Sequence, residues 1–213
     1  MRITVEMDQA QLDDLQERLA FIKGGWERAV VRAMNTAASQ AKTRTAVRAK
    51  AILTADPERV EAALVVKKAT YGARAAKLHI SGRRIPLFRF DVSFMYPTVE
   101  GGVTAKTLQG ASPLVLKHAF VTKVLSGSDD NPGPNHWGVF SRRGEKRRMT
   151  RGRYAGEIRQ PIVEHFGPNI ATVFEKTPGL EAEILQLAAD KFAQEAARQA
   201  EFLIQKSLGD GDD

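Results

Sequence analysis

Apolar positions recur at helical spacing at both ends of the chain and alternate with polar ones in its middle. Leu12, Leu15, Leu19 and Ile22 share one face of a 3.6-residue repeat, and Asp8 with Gln11 makes a capping-box start. Gly24-Gly25 interrupts the repeat. A longer helix is predicted from Trp26 to about residue 53. In it Ala29, Ala33, Ala37 and Ala41 recur every four residues, flanked by Val30, Met34 and Ala38. So narrow an alanine stripe lets another element approach closely. It reads as a packing seam, with a contact between subunits as the alternative. At the far end, residues 180–207 are rich in Ala, Glu, Gln and Leu and contain no Gly or Pro. Ile184, Ala188, Phe192, Ala196 and Leu203 fall on one side of that segment, which predicts a long amphipathic helix.

Between the helices the pattern shortens to strands. Ile3 and Val5 alternate with polar residues, so residues 2–6 predict a short edge strand. Asp56-Pro57 reads as an N-cap and first helical residue, opening a short helix. Strand-like runs follow at residues 64–69, 77–82, 84–94 and 99–107. Residues 117–170 carry the main hairpin. Ala119, Phe120, Val121 and Val124 supply apolar groups to two faces, a Pro/Gly/Asp/Asn loop spans residues 128–135, and Trp137 to Arg143 resumes the strand pattern. The connections are too short for repeated helical crossovers, so the sheet is predicted to be antiparallel. The resulting fold class is α+β: two N-terminal helices (8–53), a central antiparallel sheet with a long-looped hairpin (60–176), and a long C-terminal helix (178–207) packed on the sheet. Residues 1–208 are read as one domain, and 209–213 as a disordered acidic tail.

Composition narrows the function. The 213 residues are 43% hydrophobic, enough for a packed core, and carry a net charge of +7 with a pI of about 9.8. That balance favours an anionic partner or an acidic protein surface. The absence of cysteine excludes disulfides and thiolate metal sites and fits synthesis in a reducing cytosol. No apolar run approaches the roughly 18 residues of a membrane span. Residues 1–6 lack the apolar stretch of a secretory signal, so export by a signal of its own is not expected.

Candidate chemistry is sparse. His79, His118, His136 and His165 form no spaced metal motif, and Glu164 and His165, as neighbours on a strand, point in different directions. The acid pairs Asp13-Asp14 and Asp129-Asp130 lie in helix-surface and loop contexts. No nucleophile elbow or phosphate-binding loop occurs. The chain is therefore not expected to be an enzyme, and no cofactor, metal ligand or catalytic residue is assigned. The long second helix carries Arg28, Arg32, Lys42, Arg44, Arg48 and Lys50, read either as a solvated face or as a contact surface. The strongest feature is the run at residues 142–153, in which seven of twelve positions are basic: Arg142, Arg143, Lys146, Arg147, Arg148, Arg151 and Arg153. Its low apolar content predicts a mobile loop. Such a loop binds phosphates or an acidic protein surface by charge, without reading sequence.

Several segments, in order, resemble the prophage minor tail protein Z family. They are Leu15 to Gly24 with Arg28 to Thr43, then Ile85-Pro86-Leu87-Phe88-Arg89-Phe90, then Ala119-Phe120-Val121 with Gly138-Val139-Phe140-Ser141-Arg142, and finally Pro161 to Ile170. In the last segment His165 and Asn169 depart from the family pattern. The resemblance spans most of residues 10–176 and implies a tail-completion protein of a tailed bacteriophage. It implies a subunit of a homo-oligomeric ring, with six copies expected, at the head–tail junction of the virion, made in the host cytoplasm. Implied partners are tail terminator or tube proteins, head connector proteins and the backbone of genomic DNA in the lumen, with no membrane. A non-specific, nucleoid-type DNA-binding protein is the alternative reading of the same charge.

Overall fold

The computed structural model describes residues 2–5, 9–95, 102–124, 135–150 and 154–209. In chain order the elements are β1 (Arg2–Val5), α1 (Gln9–Arg18), α2 (Gly25–Ile52), α3 (Pro57–Ala62), β2 (Leu64–Lys67) and β3 (Ala76–Ile80). After a single 3-10 turn at Leu87–Arg89 come β4 (Asp91–Met95), β5 (Gly102–Lys106), β6 (Leu114–Lys117), β7 (Ala119–Val124) and β8 (His136–Arg142). The chain closes with β9 (Arg147–Arg148), β10 (Ile158–Arg159), β11 (Ile162–Glu164), α4 (Ile170–Lys176) and α5 (Leu180–Gly209). The fold is α+β, with antiparallel pairing throughout these strands and the long C-terminal helix in place.

The chain forms two compact units. The first comprises Met1–Ala49, Glu61–Gly82 and Ile170–Asp213. Its sheet has the order β1-β3-β2, so β1 is an edge strand, as its short alternating pattern predicts. The predicted stripe of α5 is the buried one: Ile184, Ala188, Phe192, Ala196 and Leu203 all face the core. So is the alanine stripe of α2, where Ala29, Ala33, Ala37 and Ala41 are each 0% exposed. Burying a large apolar side chain such as Phe192 contributes about 1.5–3 kcal/mol before entropy is counted. Gly24 closes the turn between α1 and α2 at φ +64, a left-handed conformation that other residues adopt only with strain.

Four arginines of the basic face of α2 are engaged within this unit. Arg32 Nη1 donates to Gln199 Oε1 at 3.3 Å, while Arg44 Nε and Arg48 Nε donate to Glu183 Oε1, each at 3.0 Å. Moving up α2 therefore means moving down α5, so the two helices run antiparallel. Hydrogen bonds from Arg48, and then Arg44, hold the Glu183 carboxyl below its ordinary range. Arg28 Nε and Nη2 donate to the carbonyls of Gly24 and Lys23 and tie the helix start to the turn before it. Asn35 works like a strand partner: its Nδ2 donates to Ala69 O at 3.2 Å and its Oδ1 accepts from Ala69 N at 2.7 Å. That pair ties the segment after β2 to α2.

The second unit comprises Lys50–Val60 and Arg83–Asn169. Its strands form sheets of order β4-β5-β6 and β11-β8-β7 and a separate ribbon of β9 with β10. With the sheet of the first unit, the strands make four sheets among the described residues, where the sequence pattern suggests one central sheet. Asp56 begins α3 as an N-cap, its Oδ1 accepting from Glu58 N at 3.1 Å. The expected strand at residues 84–94 is broken. Pro86 forces its own backbone to φ −51 and the chain turns through Leu87–Arg89 before β4 begins. Leu87 N then donates to His165 O and Gly167 N to Ile85 O, so the segment is held by backbone bonds outside a regular sheet. β6 and α4 have no counterpart in the sequence reading. β6 is exposed along most of its length, so its apolar residues show no alternation of burial, and α4 is too short to establish a repeat. The Asp8 cap, the loop at residues 128–134 and the tail at 210–213 lie outside the described residues.

Candidate anion-binding groove

The site begins with strand register. In the β11-β8-β7 sheet Phe120 stands opposite Phe140, which stands opposite Glu164, and Arg142 stands opposite Ile162. Directly opposed residues point to the same side. Phe120, Phe140, Arg142 and Ile162 therefore share one face, and Trp137, Ser141 and His165 the other. On the first face Phe120 and Phe140 lie 6.4 Å apart, and the Arg142 guanidinium sits over the Phe120 ring at 5.6 Å. Gly138 makes this possible. A Cβ there would stand 2.7 Å from the Phe140 ring and 2.8 Å from Glu164 Oε1.

Two of the four histidines, His136 and His165, pair with neighbours, one on each face. His136 Nε2 and Glu164 Oε2 are 3.1 Å apart, while Ser141 Oγ and His165 Nε2 are 2.7 Å apart. The adjacent Glu164 and His165 do point to opposite faces. Glu164 Oε1 is buried and has no hydrogen-bond partner among the described residues. No group of three or more His, Asp or Glu side chains suited to a metal ion occurs among the described residues. No helix among them is long and apolar enough to cross a membrane.

Residues 142–149 of the basic run are held by backbone pairing, where the composition suggests a mobile loop. Arg143 N donates to Pro161 O at 2.8 Å, and Gln160 Nε2 donates to Gly144 O at 2.8 Å. The chain then re-enters strand pairing, with Arg147 opposite Arg159 and Arg148 opposite Ile158, and Met149 N bonded to Glu157 O. Backbone hydrogen bonds outweigh the weak strand preference of these side chains, because the run lies between two strands that already pair, β8 and β11. Arg142, Arg143, Lys146, Arg147 and Arg148 are exposed on this arm, and Arg151 and Arg153 lie outside the described residues.

Arg147 and Arg159 are like charges directly across a ladder, an arrangement that costs stability. Arg159 is partly compensated by stacking over Tyr154 at 3.7 Å and by Glu157 Oε2 at 3.7 Å. Between this ribbon and the Phe120 face lies a groove of about 280 Å3. Phe120, Tyr154, Lys123, Arg142 and Arg159 line it, with Met149, Val124 and Ile162 as apolar wall, and no Asp or Glu lines it among the described residues. Sequence reading identified Arg142 but missed Lys123 and Arg159, which lie outside the basic run. The cue for Arg159 is its five-residue separation from Tyr154. The Arg142–Phe120 pairing is visible only once the strands are in register.

The seam residues have a different fate. Ala29, Ala33, Ala37 and Ala41 are buried in the first unit and are not part of any exposed surface. Arg28, Arg32, Arg44 and Arg48 are likewise engaged inside that unit. Comparison of the chain with protein-family models, with curated proteins and with solved structures found no match.

Proposed function

We propose that the chain is a structural subunit of a tailed-phage virion, a head-proximal tail-completion protein that forms a ring where tail meets head. The reading rests on the ordered series of segments that resemble the prophage minor tail protein Z family. Those segments fall at architectural positions. Leu15 and Leu19 are core residues of the first unit, Ile85 and Phe90 are core residues of the second, and Phe140 sits in the β8 register beside Gly138. A family built around assembly would keep such positions and need no catalytic group. The exposed basic arm supports the same reading, since a neck ring meets both DNA phosphates and the acidic rims of neighbouring proteins.

The test is removal of the chain from the virus that encodes it. Lysates should then contain filled heads and separate tails, visible by electron microscopy. Normal joined particles would refute the assignment.

The exposed guanidiniums of Arg143, Arg147 and Arg148 favour one other reading, a nucleoid-type protein that coats DNA. That protein would bind any duplex tightly in isolation, and log Kd would change steeply with log salt. A ring subunit binds isolated duplex weakly at physiological salt.

A further inference from the structure

We infer that the groove beside the basic ribbon receives the acidic C-terminal segment of a neighbouring copy, residues 208–213. This deepens the ring reading and rests on it: a ring needs a head-to-tail contact in which two different surfaces of the subunit meet.

The groove and the segment match in charge. The groove offers three cations, Lys123, Arg142 and Arg159, beside an apolar wall of Val124, Met149 and Ile162. An occupant must therefore carry several carboxylates next to an apolar anchor. The segment Leu208-Gly209-Asp210-Gly211-Asp212-Asp213 has that composition. Leu208, near the end of α5, is 70% exposed and has no core to fill. Three aspartates follow within five residues.

The groove also has an electrostatic need. Arg147 and Arg159 face each other across the ribbon with one carboxylate, Glu157, nearby. An incoming aspartate relieves that repulsion, and a guanidinium already stacked on Tyr154 is pre-organised to accept it. Duplex DNA suits the groove less well. Its phosphates lie on a convex cylinder, and a cleft of about 280 Å3 admits a single extended segment.

The test uses the full chain in which Asp210, Asp212 and Asp213 are all changed to Asn, so that its own tail does not compete. A fluorescein-labelled peptide of residues 204–213 is titrated into it and followed by anisotropy. Binding should occur at low salt and weaken by about tenfold or more when Arg142→Gln and Arg159→Gln are added to the same chain. Matching thermal melts show that both proteins are folded. No binding, or equal binding to both proteins, overturns the inference. So does a ten-nucleotide single strand that binds more tightly than the peptide with the same dependence on the two arginines.

Mixing completes the test. The Asn-tail chain still has a groove, and the Gln-groove chain still has a tail. Each alone should be monomeric, and the mixture should give a heterodimer by light scattering. A mixture that stays monomeric overturns the exchange between copies. Absence of the chain from virions defeats the neck assignment and leaves the peptide result standing, so the two failures are distinguishable.

Discussion

Thr45 and Ala37 lie on buried faces of α2, each 0% exposed, yet they make opposite demands on their surroundings. The hydroxyl of Thr45 has no hydrogen-bond partner among the described residues, so its desolvation is uncompensated. Thr45→Val keeps the shape and removes the polar atom. Stability in urea should rise by about 1 kcal/mol with an unchanged denaturant slope. A loss would show that the hydroxyl is satisfied. Ala37 sits within the buried alanine repeat of α2. Ala37→Leu should overpack the seam and cost about 1–3 kcal/mol, read from the same urea transition. Wild-type stability would place the seam at a surface. The alanine periodicity reveals that the face is buried. It does not reveal that the chain itself covers it, because a packing seam and a subunit contact leave the same stripe.

At the scale of elements, the α2–α5 pair is fastened by Arg44, Arg48 and Glu183, and that fastening depends on pH. Glu183 is held below the ordinary glutamate range in the folded chain, chiefly by Arg48 and then by Arg44. Its contribution is therefore complete above that range and is lost as pH falls through the depressed value. Glu183→Gln should lower the melting temperature at pH 7, and the gap to wild type should close as the pH falls below the ordinary glutamate range and through the depressed value. A gap that stays constant with pH would mean the ion pairs contribute nothing. The ribbon makes the contrary prediction. Arg147→Ser with Arg148→Ser should leave the melting transition within about 0.5 kcal/mol of wild type, because both side chains are exposed and Arg147 opposes Arg159. The same variant should yield fewer infectious particles. Full infectivity would return the arm to a solvated surface.

The elements differ in how clearly the chain announces them. The long helices are legible because Ile184, Ala188 and Phe192 on α5, and the alanines of α2, repeat over many turns. β9 is illegible for a physical reason: Arg147-Arg148 has no apolar alternation, and its pairing is imposed by the strands on either side. The 3-10 turn at Leu87–Arg89 is hidden within a run whose alternation mimics a strand.

For the whole molecule, the α+β class is readable from periodicity, because helical spacing at both ends and alternation between them leave little else. The division into two compact units is not. It depends on which distant segments pack together: Met1–Ala49 with Ile170–Asp213, and Lys50–Val60 with Arg83–Asn169. The groove was half legible. Of its three cations residues 142–153 announce only Arg142, while the ring pairs Arg142–Phe120 and Arg159–Tyr154 depend on strand register and turn geometry that no local pattern encodes.

The neck assignment is tested most directly by locating the chain in intact particles. Virions of the virus that encodes it can be labelled with gold-conjugated antibody against this chain and viewed by electron microscopy. The account predicts label at the head-proximal end of the tail, on particles whose heads have been detached to open that end. Label elsewhere on the particle, or none on particles that contain all their structural proteins, would contradict it.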